Sequence, residues 1–192
     1  MNNSTHSILL AGVGGQGILR ASDILSLVMI EAGYDARKSE VHGMAQRGGS
    51  VTSHVRYGKK VYSPIAKKGD VDILVSFEKL ETLRYLDFLK PEGKVIINDE
   101  EIYPPSVNLG EAEYPENVVD SVKTYFNDIK AVNASEMASK AGNIRTVNTA
   151  ILGVLSLYLD IGTDLWENVL RKSFPEKIFK QNLNAFNLGR NA

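Results

Sequence analysis

The sequence predicts an α/β protein: one three-layer α/β/α domain over residues 1–192, with a mostly parallel, mixed sheet, an inserted β-hairpin and a helical C-terminal portion. Three observations carry that expectation. The apolar run Ser7 to Ala11 breaks into glycines and then into a helical period, as a strand–turn–helix unit does. Strand-like and helix-like segments then alternate as far as Lys140, and beyond it only helical periods remain. At 192 residues and 43% hydrophobic content, such a chain buries roughly 70% of its unfolded surface without cross-links.

The elements follow in order. Gly17 to Ala32 places Ile18, Ala21, Ile24, Leu25, Val28 and Met29 on one helical face, and Gly33 closes it. Tyr34 to Ser39 restarts an extended segment, completing a βαβ unit. Glu40 to Gly49 has neither period and reads as a loop. Ser50 to Tyr57 alternates, with Val51, Val55 and Tyr57 inward and Thr52, His54 and Arg56 on a solvated face, a half-buried strand. Gly58-Lys59 turns the chain into a second hairpin arm, Lys60 to Ile65, which Pro64 marks as an edge.

Val71 to Phe77 is a strongly apolar strand, Glu78 to Leu89 an amphipathic helix stopped by Pro91 and Gly93, and Lys94 to Asn98 a further strand. Asn117 to Phe126 reads as a helix, Ile129 to Asn133 as a short strand and Ser135 to Lys140 as a helical turn. Thr146 to Leu159 is apolar almost all round, hence a buried helix, in which Gly153 permits close backbone approach. Thr163 or Asp164 caps the next helix, and Pro175 opens a last one with Gly189 after it.

Composition narrows the function. With 22 basic against 23 acidic residues, the net charge of -1 gives no global footprint for nucleic acid or an anionic membrane. The apolar run Thr146 to Leu159 falls well short of the roughly 20 residues of a membrane span and contains Thr and Asn. The N-terminus lacks the charged start of a signal peptide, so a cytoplasmic location is expected. There is no cysteine, which removes disulfides, a thiolate nucleophile and an iron–sulfur cluster held by this chain's own thiolates. Three histidines make a multi-histidine metal site unexpected.

Gly12-Val13-Gly14-Gly15-Gln16-Gly17 fits G-x-G-x-x-G between a strand and a helix. Gly12, Gly14, Gly15, Gln16 and Gly17 are therefore candidates for cradling a phosphate at a helix N-terminus. No Lys-Ser or Lys-Thr follows, so this is not a hydrolytic P-loop. Glu40 lies where a nicotinamide cofactor would want an acid, yet Arg37 and Lys38 beside it suit a phosphorylated ribose, as in NADP or coenzyme A; a solvated strand end explains them equally well. Glu40 to Gly49 (EVHGMAQRGG) is the least ordinary stretch. Arg47 before Gly48 and Gly49 can present a guanidinium with backbone N–H groups to an anion. His42 can shuttle a proton or simply hydrogen-bond its loop, and Asn148 reads as satisfying a neighbouring backbone group. No Ser-His-Asp set or carboxylate pair emerges. The chain carries binding residues, not a self-sufficient catalytic set.

Ile8 to Ile18 (ILLAGVGGQGI) together with Ser39 to Val51 (SEVHGMAQRGGSV) resembles the gamma-type domain of the 2-oxoacid:ferredoxin oxidoreductases, and the HGMAQRGG version is similar to its indolepyruvate branch. The likeness extends over essentially the whole chain, including Asp72 to Glu78 and Asn148 to Gly153. It implies an inactive-alone subunit of a complex that oxidatively decarboxylates an aryl 2-oxoacid such as indolepyruvate to the acyl-coenzyme A and passes electrons to ferredoxin. It also implies that thiamine diphosphate, magnesium and the [4Fe-4S] clusters sit on a large partner subunit, and that this chain contacts coenzyme A. By the same resemblance the glycine turn becomes the phosphate cradle, while Glu40, His42, Gln46, Arg47, Gly48 and Gly49 form a loop facing the partner's active site. Two readings from the residues alone compete with it: a stand-alone NAD(P)-binding oxidoreductase and a non-catalytic nucleotide-binding module.

Overall fold

A computed structural model describes residues 5–42 and 49–192, with His42 described by its backbone alone. Strand β1 (His6–Val13) runs through the glycine turn into α1 (Ile18–Glu31). That helix ends as Gly33 adopts φ +87° and the Tyr34 N–H donates back to the Met29 carbonyl at 3.0 Å, a glycine stop. Strands β2 (Asp35–His42) and β3 (Ser50–Gly58) follow, then β4 (Val71–Ser76), α2 (Lys79–Tyr85) and β5 (Leu89–Asn98). Two short helices, α3 (Pro105–Asn108) and α4 (Val118–Lys123), precede β6 (Ile129–Val132) and α5 (Ala134–Lys140). The chain closes with α6 (Val147–Ser156), α7 (Thr163–Ser173) and α8 (Glu176–Arg190).

The six strands lie in the order β2-β3-β1-β4-β5-β6. Strand β3 is antiparallel to both neighbours, while β1, β4, β5 and β6 pair in parallel. The chain leaves β1 toward one edge and resumes at β4 on the other side, so a topological switch point lies between β1 and β4. Helices cover both faces of this mixed sheet, as the α/β/α expectation required.

Several local expectations change. The hairpin exists, but β2 and β3 are its arms; residues 60–65 form no strand. They lie over β3 instead, held by Arg56 and leading to Ala66 against His54, and β3 is an inner strand between β2 and β1 in which Thr52 and His54 are buried. Strand β5 begins at Leu89 and passes Pro91 and Gly93 by a bulge: Val71 faces Leu89, but Ile73 already faces Lys94. Gly162, not Thr163 or Asp164, is the N-cap of α7. Gly189 lies inside α8 and does not terminate it.

Gly153 and Gly189 explain each other. A Cβ on Gly153 would sit 2.1 Å from the Phe186 carbonyl oxygen, and one on Gly189 would sit 2.0 Å from that of Ala150. Helices α6 and α8 thus touch backbone to backbone, which only glycine allows. Close approach seals the larger core, where Trp166 and Phe186 are fully buried with ring centroids 5.3 Å apart. Among the described residues no helix is long and apolar enough to cross a membrane.

Candidate functional site

The site begins where β1 ends. Gly15 (φ +110°) and Gly17 (φ +80°) occupy left-handed backbone that side chains resist, and Gly17 is the N-cap of α1. Gly12 is glycine for a different reason: a Cβ there would lie 2.8 Å from Phe77 Cβ and 2.8 Å from Gln16 Oε1. Gln16 braces the turn from behind. Its Oε1 accepts the Val13 N–H at 2.8 Å, and its Nε2 donates to the Phe77 carbonyl at 2.9 Å. Asn98 Nδ2 donates to the same carbonyl at 3.1 Å and to Glu100 Oε2 at 2.9 Å, while its Oδ1 accepts the Ala134 N–H at 2.9 Å. One chain of amides thereby ties together the carboxyl ends of β1, β4 and β5 and the start of α5.

In front of the turn lies a cleft of about 470 Å³. Gly15, Gln16 and Gly17 form one wall, Glu100 and Ser135 another, and Ile144, Arg145, Val147 and Asn148 the third. The N-cap Gly17 has no side chain to cap α1, so the first-turn N–H groups point out with the positive end of the helix dipole. Exposed Arg145 adds a cation, whereas Glu100 offers an acceptor. Such a cleft can hold an anion beside a hydroxyl-bearing group, the polarity of a sugar phosphate. Asn148 reaches the turn: its Nδ2 donates to the Gly17 carbonyl at 3.3 Å.

The second motif arrives at the same edge. His42 pairs with Val51, which pairs with Gly12, so the segment between β2 and β3 leaves and returns at the level of the glycine turn. On its return, the Gly49 carbonyl accepts the Gly14 N–H at 2.9 Å. Gly14 therefore has its donor engaged within the protein. Gln46, Arg47 and Gly48, with the His42 side chain, lie outside the described residues.

Arg37 and Lys38 are not brought to the turn. Lys38 is level with Val55 and Ile8, five positions before Val13, roughly 16 Å along the strand direction, and β2 is separated from β1 by β3. Lys38 is bound to Asp23 of α1 and, at 2.5 Å, to Glu40; burial lowers its pKa, but these two carboxylates raise it overall. Arg37 Nε lies 3.4 Å from Asp35 Oδ1. Glu40 is thus also two strands from β1, so β2 does not lie beside β1 to offer its acid to a ribose there.

Glu100, Ser135 and Arg145 were invisible to the sequence because they sit on three separate segments. Two buried carboxylates on or next to α2 were missed as well. Glu78 accepts from the Glu81 N–H at 3.0 Å, the Ile102 N–H at 3.2 Å and the Tyr114 hydroxyl; burial and this carboxylate push the Tyr114 pKa up. A carboxylate directly following a parallel strand was the signal available for it. Glu81 accepts from the Ser50 hydroxyl, and burial raises its pKa against the opposing pull of Ser50 and Arg84.

The family described as pyruvate ferredoxin/flavodoxin oxidoreductase matches residues 7–192. The chain is 40% identical over 189 residues to the indolepyruvate oxidoreductase subunit IorB of Pyrococcus horikoshii, covering 96% of this chain and 94% of the relative. Its fold is similar to the keto/oxoacid ferredoxin oxidoreductase gamma subunit of Geobacter sulfurreducens, with TM-score 0.71, 23% identity and coverage of 97% and 96%. It is also similar to part of the 2-oxoglutarate:ferredoxin oxidoreductase of Magnetococcus marinus, a structure with 2-oxoglutarate, coenzyme A and succinyl-CoA bound. There the TM-score is 0.72 at 22% identity, over 99% of this chain and 31% of that one.

Proposed function

This chain belongs to the pyruvate ferredoxin/flavodoxin oxidoreductase family, and we propose that it is the gamma-type small subunit of an aryl 2-oxoacid:ferredoxin oxidoreductase, with indolepyruvate as the representative substrate. The assembled enzyme removes carbon dioxide from the oxoacid, joins the acyl group to coenzyme A and passes two electrons to ferredoxin. Thiamine diphosphate, magnesium and the [4Fe-4S] clusters belong to the large subunit; a chain without cysteine has no thiolates for a cluster. The reading carries with it the cytoplasmic setting expected from the sequence.

One observation carries the proposal: the Gly14–Gly49 hydrogen bond joins the glycine turn to the point where the chain re-enters β3 at the carboxyl edge of β1, so the two sequence motifs meet there. Coenzyme A fits the donor chemistry beside it. Gly15, Gly17 and the first turn of α1 would face a phosphate, Arg145 a second anionic group and Glu100 a hydroxyl, with Gln16 shaping the turn from behind. The subunit's task is positioning: it presents the thiol carrier while the partner's cofactor breaks and makes the bonds. A stand-alone NAD(P) reductase is not favoured, because β3 separates β2 and its acid from β1.

The test is co-expression with a large thiamine- and iron–sulfur-bearing subunit. The lone chain should be inactive, and the complex should reduce a dye only with oxoacid and coenzyme A. Arg47→Ala should lower turnover on the order of tenfold or more while the complex still elutes intact. Oxoacid turnover by the purified chain alone would overturn the reading.

A further inference from the structure

Glu81 is only 3% exposed, in the first turn of a helix that contributes no wall to the cleft. A buried carboxylate is costly unless hydrogen-bonded, so its partners carry the information. One is Arg84, whose Nε lies 3.4 Å from Oε1. The other is the Ser50 hydroxyl, which bonds Oε2 and also lies 2.9 Å from the Tyr85 hydroxyl. An ionised carboxylate only accepts, so Ser50 must donate to it, and the phenol then donates to Ser50. The result is a one-directional chain, Tyr85 to Ser50 to Glu81, in which each bond polarises the next.

Ser50 is the residue after Gly49 and pairs in register with Val13. Two consecutive residues are therefore held by two separate elements: Gly49 by the Gly14 N–H of the glycine turn, and Ser50 by Glu81 of α2. A shift of Ser50 would drag the Gly49 carbonyl off Gly14. The glycine turn would then lose the bond that fixes how α1's N–H groups are aimed.

We propose that Glu81 is a positioning residue: through Ser50 it sets the Gly49–Gly14 bond and hence the shape of the turn that receives the anionic carrier. The inference rests on the reading of the chain as an oxidoreductase subunit, and goes beyond it in giving a residue outside the cleft a defined effect on one substrate.

The experiment has two readouts on the full chain. In hydrogen exchange, Ser50→Ala and Glu81→Ala should speed exchange of the Gly14 amide about tenfold, with α6 amides unchanged. Gly14 exchange at the wild-type rate would overturn the proposal. In the assembled complex, the same variants should raise KM for coenzyme A about fivefold with kcat within about twofold. Glu81→Gln still accepts from Ser50 and should restore both readouts. A faster Gly14 amide with unchanged KM, or a Gln variant as impaired as the Ala variant, would also overturn it. If instead the wild-type complex shows no oxoacid-dependent reduction, the functional reading fails, and Gly14 exchange still judges the positioning claim.

Discussion

On one face of the sheet, Ile8, Leu10, Val51, Val55, Ile73, Val75 and Ile96 pack beneath α1, α6, α7 and α8. On the other, Leu9, Ala11, Leu74 and Ile97 share their layer with His54, Arg56 and the carboxylates of Glu78 and Glu81. The first face is held by shape, down to a helix pair in backbone contact. The second is thinner, and a connection without secondary structure completes it: residues 59–70 lie over β3, where Arg56 donates to the carbonyls of Ser63 and Ile65. The difference teaches where the molecule keeps its stability and where it keeps its adjustable parts. Apolar burial is non-directional and tolerates no added volume, whereas hydrogen-bonded networks fail one partner at a time.

Gly153→Ala should give the largest effect. The new methyl meets a carbonyl carbon and oxygen, not the end of a flexible side chain, so α6 and α8 must separate. Overpacking of this kind costs about 3 kcal/mol. A denaturant melt should show it as a lower midpoint at unchanged slope, with coenzyme A affinity of the surviving folded complex preserved. A midpoint within error of wild type would mean that the shape-held face has slack.

Arg56→Met comes next and probes the other face. The guanidinium donates to Ser7 Oγ at 3.0 Å, to two carbonyls of the covering segment and to Asp70 Oδ2 at 3.1 Å. Methionine keeps the stem's packing but removes every donor, and the orphaned acceptors should cost about 2 kcal/mol. Proteolysis should then cut first between residues 59 and 70. A variant as stable and protease-resistant as wild type would show that this face, too, is held by packing, and the contrast would go.

The two faces also differed in how well they could be read. Periodicity located every helix of the apolar face, since a helix burying one stripe must repeat near 3.6 residues. Close approach at Gly153 was legible for the same reason. Gly189 was not: a glycine near the end of an apolar period can stop a helix or admit a neighbour, and only the partner helix decides. On the other face, Thr52, His54 and Arg56 alternate as a solvated strand would, and nothing local says that residues 59–70 fold back over them. The site shows the same division. The glycine turn was written in contiguous residues, whereas the distance of Arg37 and Lys38 from it depends on strand order, which no local pattern encodes. Arg145 reaches the cleft, and Glu81 reaches Ser50 behind it, from separate elements that leave no joint signature.

His54 sharpens the comparison at its smallest scale. The ring is 4% exposed and its Nδ1 accepts the Ala66 N–H at 3.3 Å, so the neutral ring, protonated on Nε2, is the form that fits. Burial, then the nearby Arg56 charge, hold its pKa below the ordinary 6.5. As pH falls below 6.5, the unfolded chain takes up a proton that the folded one refuses, so stability falls with pH until the folded value is passed. The contribution is complete above 6.5 and is lost on the acid side, with a slope of at most about 1.4 kcal/mol per pH unit. His54→Gln should flatten that part of the stability profile, whereas Gly153→Ala should lower the whole profile without changing its slope there. Parallel wild-type and His54→Gln profiles through this range would mean that the buried imidazole accepts a proton in place, and that the polar face is looser than its hydrogen bonds imply.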